Sequence, residues 1–314
     1  MQQKSLKRKK PKTQTQSLNS VMQFETVGGV VEVTVGHDAE VFLADQDGQI
    51  VPSCGLLGGT KDKPRPVEGG YILEDNVTAE LNIDPCNTEE QFVTRTITTM
   101  KSLLALLPPD FTLQLLSMHK FPKKQLNHPS AMEFGCDPDF NFYTLEPNEY
   151  QIGKWIEQGV RFAGGHVHIG VRYVHTDQAH PIFDSPNGFR ALCYAAELHI
   201  GTMLWDLSPT ATLRHETYGR AGCYRMKPYG VEYRSPPNLW LQNNATMGLV
   251  FKAAVVAAIT AVTQPESFLD SISGLGSRPI LNAYTADSGW RHEVSTIRIR
   301  NADKVWSKQL RTAA

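Results

Sequence analysis

Polar and apolar residues alternate with a period of two along several stretches of this chain, and that alternation predicts strands. Residues 22–44 read as two strands separated by Gly28-Gly29, the second running into the apolar Val41, Phe42 and Leu43. Asp47-Gly48 then marks a hairpin. From Glu74 to Ile83, Glu80 and Asn82 fall on one face and Leu81 and Ile83 on the other. Residues 111–119 are expected to form a strand, and Gly164 to Gly170 alternates again. The segment from Arg220 to Arg234 ends in a strand, because Val231 and Tyr233 favour extended backbone and Pro236-Pro237 stops it. Three stretches instead carry helical spacing. Thr88 caps the first, with Gln91 in a capping box, and Phe92, Val93, Ile97, Met100, Leu103, Leu104 and Leu107 follow until Pro108-Pro109. The second spans 187–205, with Leu192, Ala196, His199, Ile200 and Met203 inward and His199 structural. The third, 245–262, is apolar and alanine-rich and fits a buried helix.

Composition changes this picture little. The chain has 314 residues, of which 41% are hydrophobic, enough for one large domain with its own core. A net charge of −1 gives no global pull toward nucleic acid or membrane. The charge is uneven, however. Lys4, Lys7, Arg8, Lys9, Lys10 and Lys12 form a basic tail without an acid. Residues 1–20 are expected to be a disordered, solubilising leader that could touch nucleic acid. The tail lacks the apolar core of a secretion signal. The 5 cysteines (Cys54, Cys86, Cys136, Cys193 and Cys223) include no C-x-x-C pair, which suits free thiols in a reducing cytoplasm. No run of 18 apolar residues is present, so no membrane span is expected.

The polar faces of the strands carry the candidate chemistry. Asp38 and Glu40 share one face, and two adjacent carboxylates repel unless a cation lies between them. An edge-strand solubility device is the bland alternative. His166 and His168 share a face between glycines and suit a metal or phosphate site. Glu232 and Arg234 share a third, with Arg220 and Arg225 upstream. One acid to hold a cation, with guanidinium forks for phosphate oxygens, suits a metal-bound polyphosphate. Scattered surface ion pairs are the alternative there. The Gly/Pro-rich loop from Gly55 to Pro66, with Lys61 and Lys63, could hold an anion but lacks the P-loop spacing. Nothing adjacent in sequence activates Cys223.

Taken in order, Gly-His-Asp-Ala-Glu (36–40), Glu-Leu-Asn-Ile (80–83), Gly-Gly-His-Val-His-Ile-Gly (164–170), Tyr-Gly-Arg-Ala-Gly-Cys-Tyr-Arg (218–225) and Glu-Tyr-Arg-Ser-Pro (232–236) resemble the superfamily of glutamine synthetase and glutamate–cysteine ligase. Within it, the chain looks most like the phage COOH–NH2 ligases, or amidoligases. The resemblance runs over residues 31–245. It implies an α+β fold: a curved, mainly antiparallel, glutamine-synthetase-like sheet with the site on its concave face and helices packed behind. Residues 21–263 would be the catalytic domain and 264–314 an extension without assigned role. Carried over residue by residue, the resemblance makes Asp38, Glu40, Glu80, His166 and Glu232 metal ligands. Asp38 stands where the superfamily usually has Glu, and Glu74 is an alternative to Glu80. His168 would lie near the nucleotide phosphates, with Arg225; Lys61, from the Gly/Pro-rich loop and not from the resemblance, is a further cofactor-binding candidate. Arg220, Arg225 and Arg234 would stabilise the transferred phosphoryl group. Asp137 or Asp139 could accept the amine proton, though a capped turn explains both equally well.

The function implied is ATP-dependent amide formation with Mg2+ or Mn2+, through an acyl phosphate, joining small-molecule or peptide carboxylates and amines. Its setting would be the cytoplasm, that of the host if the chain is phage-encoded. The resemblance leaves room for an oligomer. Three other readings stand beside it: a metal-dependent hydrolase using the histidines and acids, a guanidino-kinase-like phosphotransferase, and a non-enzymatic phage structural or binding protein.

Overall fold

The structure is a computed structural model and describes residues 22–26, 28–132, 139–148, 153–204, 214 and 218–265. The basic tail, Cys136, Asp137 and nearly all of the expected C-terminal extension lie outside the described residues. The fold is α+β, as expected, and its centre is an antiparallel sheet of 11 strands.

Strand β2 (Gly29–Ala44) organises the sheet. It pairs with β1 (Gln23–Thr26) across the Gly28-Gly29 break and with β3 (Ile50–Val51) through the Asp47-Gly48 hairpin. On one side of β2 lie β6 (Thr78–Ile83), β5 (Gly70–Asp75) and β4 (Arg65–Val67). On the other side lie β11 (Val167–Tyr173), β13 (Gly230–Tyr233), β12 (Cys223–Lys227) and β9 (Phe140–Asn141). Residues 111–119 are not one strand. They divide into β7 (Thr112–Gln114), which pairs with β2, and β8 (Met118–Lys120), which pairs with β10 (Val160–Phe162) in a separate ribbon.

The two faces of the sheet differ in chemistry because side chains alternate along each strand. Val31, Val33, Val35, Ala39, Val41 and Leu43 of β2 join Leu81, Ile169 and Val231 in the main core. Helices α1 (Glu89–Leu106), α3 (Pro186–Ala196) and α4 (Asn244–Thr263) cover this face; α2 (Gly153–Glu157) is a short helix near β10. Thr88 caps α1 by accepting from the Gln91 amide, and the Gln91 side chain accepts in return from Asn87 N–H, one residue before the position a capping box uses. Helix α3 is not regular to residue 205. A π turn follows at Glu197–Gly201, then a helical turn at Thr202–Leu204. By length and composition α4 could cross a membrane, but 61% of its apolar stretch is buried inside the fold. That makes it a core helix, and no other described helix is comparably long and apolar.

His37 also lies on the helix-covered face. Its ring packs edge-on against Phe92 and Trp240, and Nε2 lies 2.9 Å from the Thr96 hydroxyl. Burial lowers its pKa to about 3. An unfolded histidine titrates near 6.5, so between these values the unfolded chain binds a proton that the fold excludes. Stability from this group is complete above pH ~6.5 and is lost as pH falls toward 3. Relative to His37→Phe, the wild type should lose roughly 2–4 kcal/mol of unfolding free energy between pH 6.5 and 4, measured by denaturant titration. Parallel pH profiles for the two proteins would contradict the burial argument.

Candidate active site

The opposite face of the same strands carries the polar residues, and strand register brings them together. Glu40 of β2 stands directly across from Glu80 of β6, and Asp38 across from Asn82. His168 of β11 faces Glu232 of β13, which in turn faces Arg225 of β12. On β5, Leu73 faces Glu80 and Asp75 faces Thr78, so Asp75 shares the polar face.

These residues form two centres. In the first, Glu40, Asp75 and Glu80 each offer an oxygen within 4.8 Å of the others. Glu40 Oε2 accepts from the Gly164 amide at 2.7 Å, and Glu80 Oε1 accepts from Asn82 Nδ2 at 2.9 Å. A Cβ at position 164 would lie 2.2 Å from His166 Nε2, so any larger residue there would displace that ring. Lys61 Nζ sits 3.1 Å from Asp75 Oδ1. Burial, then Asp75, raises the Glu40 pKa to about 8. Burial, then the neighbouring acids, raises that of Glu80 well above the usual range.

The second centre consists of Asp38, His168 and Glu232, again within 4.8 Å of one another. Asp38 is shared between the two histidines: Oδ1 lies 3.2 Å from His166 Nδ1, and Oδ2 3.1 Å from His168 Nε2. Burial pushes the Asp38 carboxyl upward, but His168 and His166 outweigh it and hold it well below the usual range. His166 is driven down to about 4 by burial and Arg234. In His168, Asp38 overcomes burial and raises the pKa.

Glu232 is fully buried and bordered by cations. Arg225 Nη1 is 3.2 Å from Oε1, Lys227 Nζ is 2.8 Å from Oε2, and Arg234 Nη1 donates to Oε1. Burial and Asp38 act to raise its pKa, yet Arg234 and the histidines prevail and it falls to about 2. The Arg234 fork is itself held on several sides. Nε donates to Asp139 Oδ2 at 3.2 Å, Nη1 lies 3.4 Å from His166 Nδ1, and Nη2 donates to the Tyr218 hydroxyl at 2.7 Å. Tyr218 in turn lies beneath both Arg234 and Arg214. Arg220 is half-buried before β12, and its carbonyl accepts from Ser235 Oγ at 2.7 Å.

The two centres are chemically suited to hard divalent cations, since carboxylate oxygens predominate with one imidazole among them. Asp38 Oδ1, His168 Nε2 and Glu232 Oε2 are buried beside charged neighbours yet lack a well-aligned hydrogen bond. Such atoms are fitted to a ligand that coordinates rather than donates. By ligand-atom distance, His168 joins Asp38 and Glu232, while His166 stands behind them between Asp38 and Arg234.

Sequence alternatives resolve along strand parity. Glu74 points to the other face, and its carboxylate accepts from the amides of Gly55, Leu57 and Gly58. It therefore shapes the Gly/Pro loop and is not part of the acid centre. Asp75 is the acid that sequence reading overlooked. The signal was available: a tight turn at Asn76-Val77 pairs Asp75 with Thr78 and so places it on the face of Glu80. Asp139 is drawn into an ion pair with Arg234 and accepts from Asn148 Nδ2 at 3.0 Å, an arrangement that engages both carboxylate oxygens. Tyr218, Lys227 and Tyr229 were not singled out, because isolated aromatic and lysine residues carry no spacing signature.

Residues 159–273 match the family model described as phage phiEco32-like COOH.NH2 ligase-type 2. This supports an enzyme of the carboxylate–amine ligase class. It also bears out the resemblance to the phage COOH–NH2 ligases, and the matched segment contains the His166/His168, Arg220/Arg225 and Glu232/Arg234 motifs. Asp38, Glu40, Asp75 and Glu80 lie before it. No curated protein matches the chain.

Metal binding at the acid centre has a defined pH signature. Without a cation, protons persist at pH 7 on Glu40, whose pKa is about 8, and burial raises Glu80 in the same direction. A cation must expel them, so apparent affinity should rise with pH by about tenfold per unit for each proton released. Isothermal titration of Mg2+ or Mn2+ in two buffers of different ionisation enthalpy, at pH 7, should show net proton release. Binding without proton release would contradict these assignments.

Proposed function

We propose that this protein is an ATP-dependent carboxylate–amine ligase that forms an amide bond through an acyl phosphate. The observation that carries the reading is the meeting, on one sheet face, of two acid-rich centres and a basic row formed by Arg225, Lys227 and Arg234 around Glu232. The family match over residues 159–273 supports the same class.

A carboxylate is a poor electrophile, so direct condensation with an amine is slow. Phosphorylation supplies a leaving group: a substrate carboxylate oxygen attacks the γ-phosphorus, the bond to ADP breaks, and the amine then displaces phosphate and loses its proton. Mg2+ or Mn2+, when bound by Asp38, His168 and Glu232 and by Glu40, Asp75 and Glu80, would supply charge neutralisation for the triphosphate. In this reading Arg225 and Lys227, only partly buried, face the phosphoryl oxygens, where developing negative charge needs fixed donors. Arg220 lies at the start of the same segment and adds to the positive field. Arg234 contributes its charge while orienting Glu232 and His166, since much of its fork is taken by protein partners. His168 stands nearest the phosphates among the histidines, and Lys61 at the edge of the acid centre.

ADP release should require both a carboxylate and an amine, screened as panels of amino acids and short peptides. Glu232→Gln and Arg225→Ala should each reduce turnover by about 10²–10³-fold while retaining a cooperative thermal transition. ATP with Mg2+ at ~100 times its dissociation constant should stabilise the wild type by about 2.7 kcal/mol, and this shift should vanish in Glu232→Gln. Full turnover in either variant would overturn the reading, and ADP release without amide product would favour phosphoryl transfer alone.

A further inference from the structure

The turn between β12 and β13 carries a side chain that the reading above does not use. Tyr229 lies beside His168, its hydroxyl 2.5 Å from Nδ1, with the rings inclined at 22° and their centroids 6.1 Å apart. The other ring nitrogen, Nε2, is turned toward Asp38 Oδ2 at 3.1 Å. An imidazole has only two nitrogens, so a hydroxyl held on one fixes which direction the other faces.

The backbone holds that hydroxyl in place. The Tyr229 carbonyl accepts from Val171 N–H at 3.2 Å, which ties the turn to the strand that carries His168. A Cβ at Gly170 would lie 2.6 Å from Thr34 Oγ1 and 3.3 Å from the Tyr229 carbonyl oxygen, so the strand is closely packed at this point. Gly230 takes φ +152°, and a Cβ at that position would meet the Ile169 carbonyl at 2.1 Å. Turn, ring and strand thus form one unit. Tyr229 is 40% exposed, and its hydroxyl hydrogen-bonds to His168. Its hydrogen bond to the centre is made through the imidazole.

We propose that Tyr229 is a positioning residue that orients His168 so that Nε2 faces a divalent cation shared with Asp38 and Glu232. This rests on the reading of those three residues as a cation centre. Hydrogen-bond partners of metal-ligating histidines typically contribute 10–100-fold in affinity.

The test is Mn2+ binding to the full chain without nucleotide, followed by electron paramagnetic resonance of the free ion. Tyr229→Phe removes only the hydroxyl. It should weaken one class of Mn2+ site by about 10–100-fold, the same class that His168→Ala weakens, and it should add nothing in the His168→Ala background. Glu80→Gln should weaken the other class. Wild-type affinity in Tyr229→Phe, or a loss confined to the class affected by Glu80→Gln, would overturn the proposal. In that case the ligase reading stands or falls separately on the turnover of Glu232→Gln. Wild-type protein that binds no Mn2+ would overturn both the positioning role and the cation centre beneath it. The thermal midpoint of Tyr229→Phe, a half-exposed change, checks that the variant is folded.

Discussion

Buried carboxylates on a sheet face impose the constraint to which the rest of this structure answers. Glu40 and Glu232 are buried, and Glu80 is half-buried, beside Asp38 and Asp75, where an uncompensated charge is costly. The two centres meet that cost differently. Glu232 has its own cations, with Arg225, Lys227 and Arg234 converging on it, so it stays ionised. Glu40 and Glu80 have mainly one another and Asp75, so burial and these neighbours raise the pKa of both. One centre is thus charged in advance, while under the proposed function the other would couple cation binding to proton release.

Holding this arrangement requires rigid support from the opposite side of the sheet. Glu197 supplies part of it. Fully buried at the π turn after α3, it accepts from Gly222 N–H at 2.8 Å and from the Tyr233 hydroxyl at 2.7 Å. It therefore ties the helix layer both to the loop that leads into Arg225 and to the strand that carries Glu232. Arg214 works along the sheet, donating from Nε to the Ala163 carbonyl at 3.2 Å and from Nη1 to the Ser235 carbonyl. Trp240 Nε1 donates to the Gly165 carbonyl at 2.9 Å and fixes the start of the His166–His168 segment. The site is mounted on strands whose ends are fastened, as a preorganised electrostatic environment demands.

Two departures from expectation share one cause. Residues 111–119 and 187–205 each have the composition of a continuous element, yet the first changes partner midway and the second is interrupted where Glu197 makes tertiary hydrogen bonds. Leu113 pairs with Leu43 in the main sheet, whereas Met118 pairs with Phe162 in the ribbon. At Glu197 the helix widens because its carboxylate is engaged with Gly222 and Tyr233, and Gly201 leaves room there: a Cβ would sit 2.3 Å from the Tyr233 hydroxyl. Local periodicity carries no record of a change in tertiary partner.

By itself the sequence determined which residues share a face. Period-two alternation grouped Asp38 with Glu40, Glu80 with Asn82, and His166 with His168, and it set Val35, Leu81 and Ile169 on the other side. The sequence also carried the helix opened by Thr88 and the one expected over 245–262, and, through the order of five motifs, the resemblance to the COOH–NH2 ligases and the α+β class it implies. Tertiary structure decided which faces meet. Register sets Glu40 against Glu80 and His168 against Glu232. A two-residue turn brings Asp75 to the acid centre while Glu74 is directed to a loop, and another turn lays Tyr229 against His168. Alternation is a property of one strand and is written in neighbouring residues. Register joins strands as far apart in sequence as residues 36 and 168, and it is fixed by backbone hydrogen bonds and packing that no local pattern encodes.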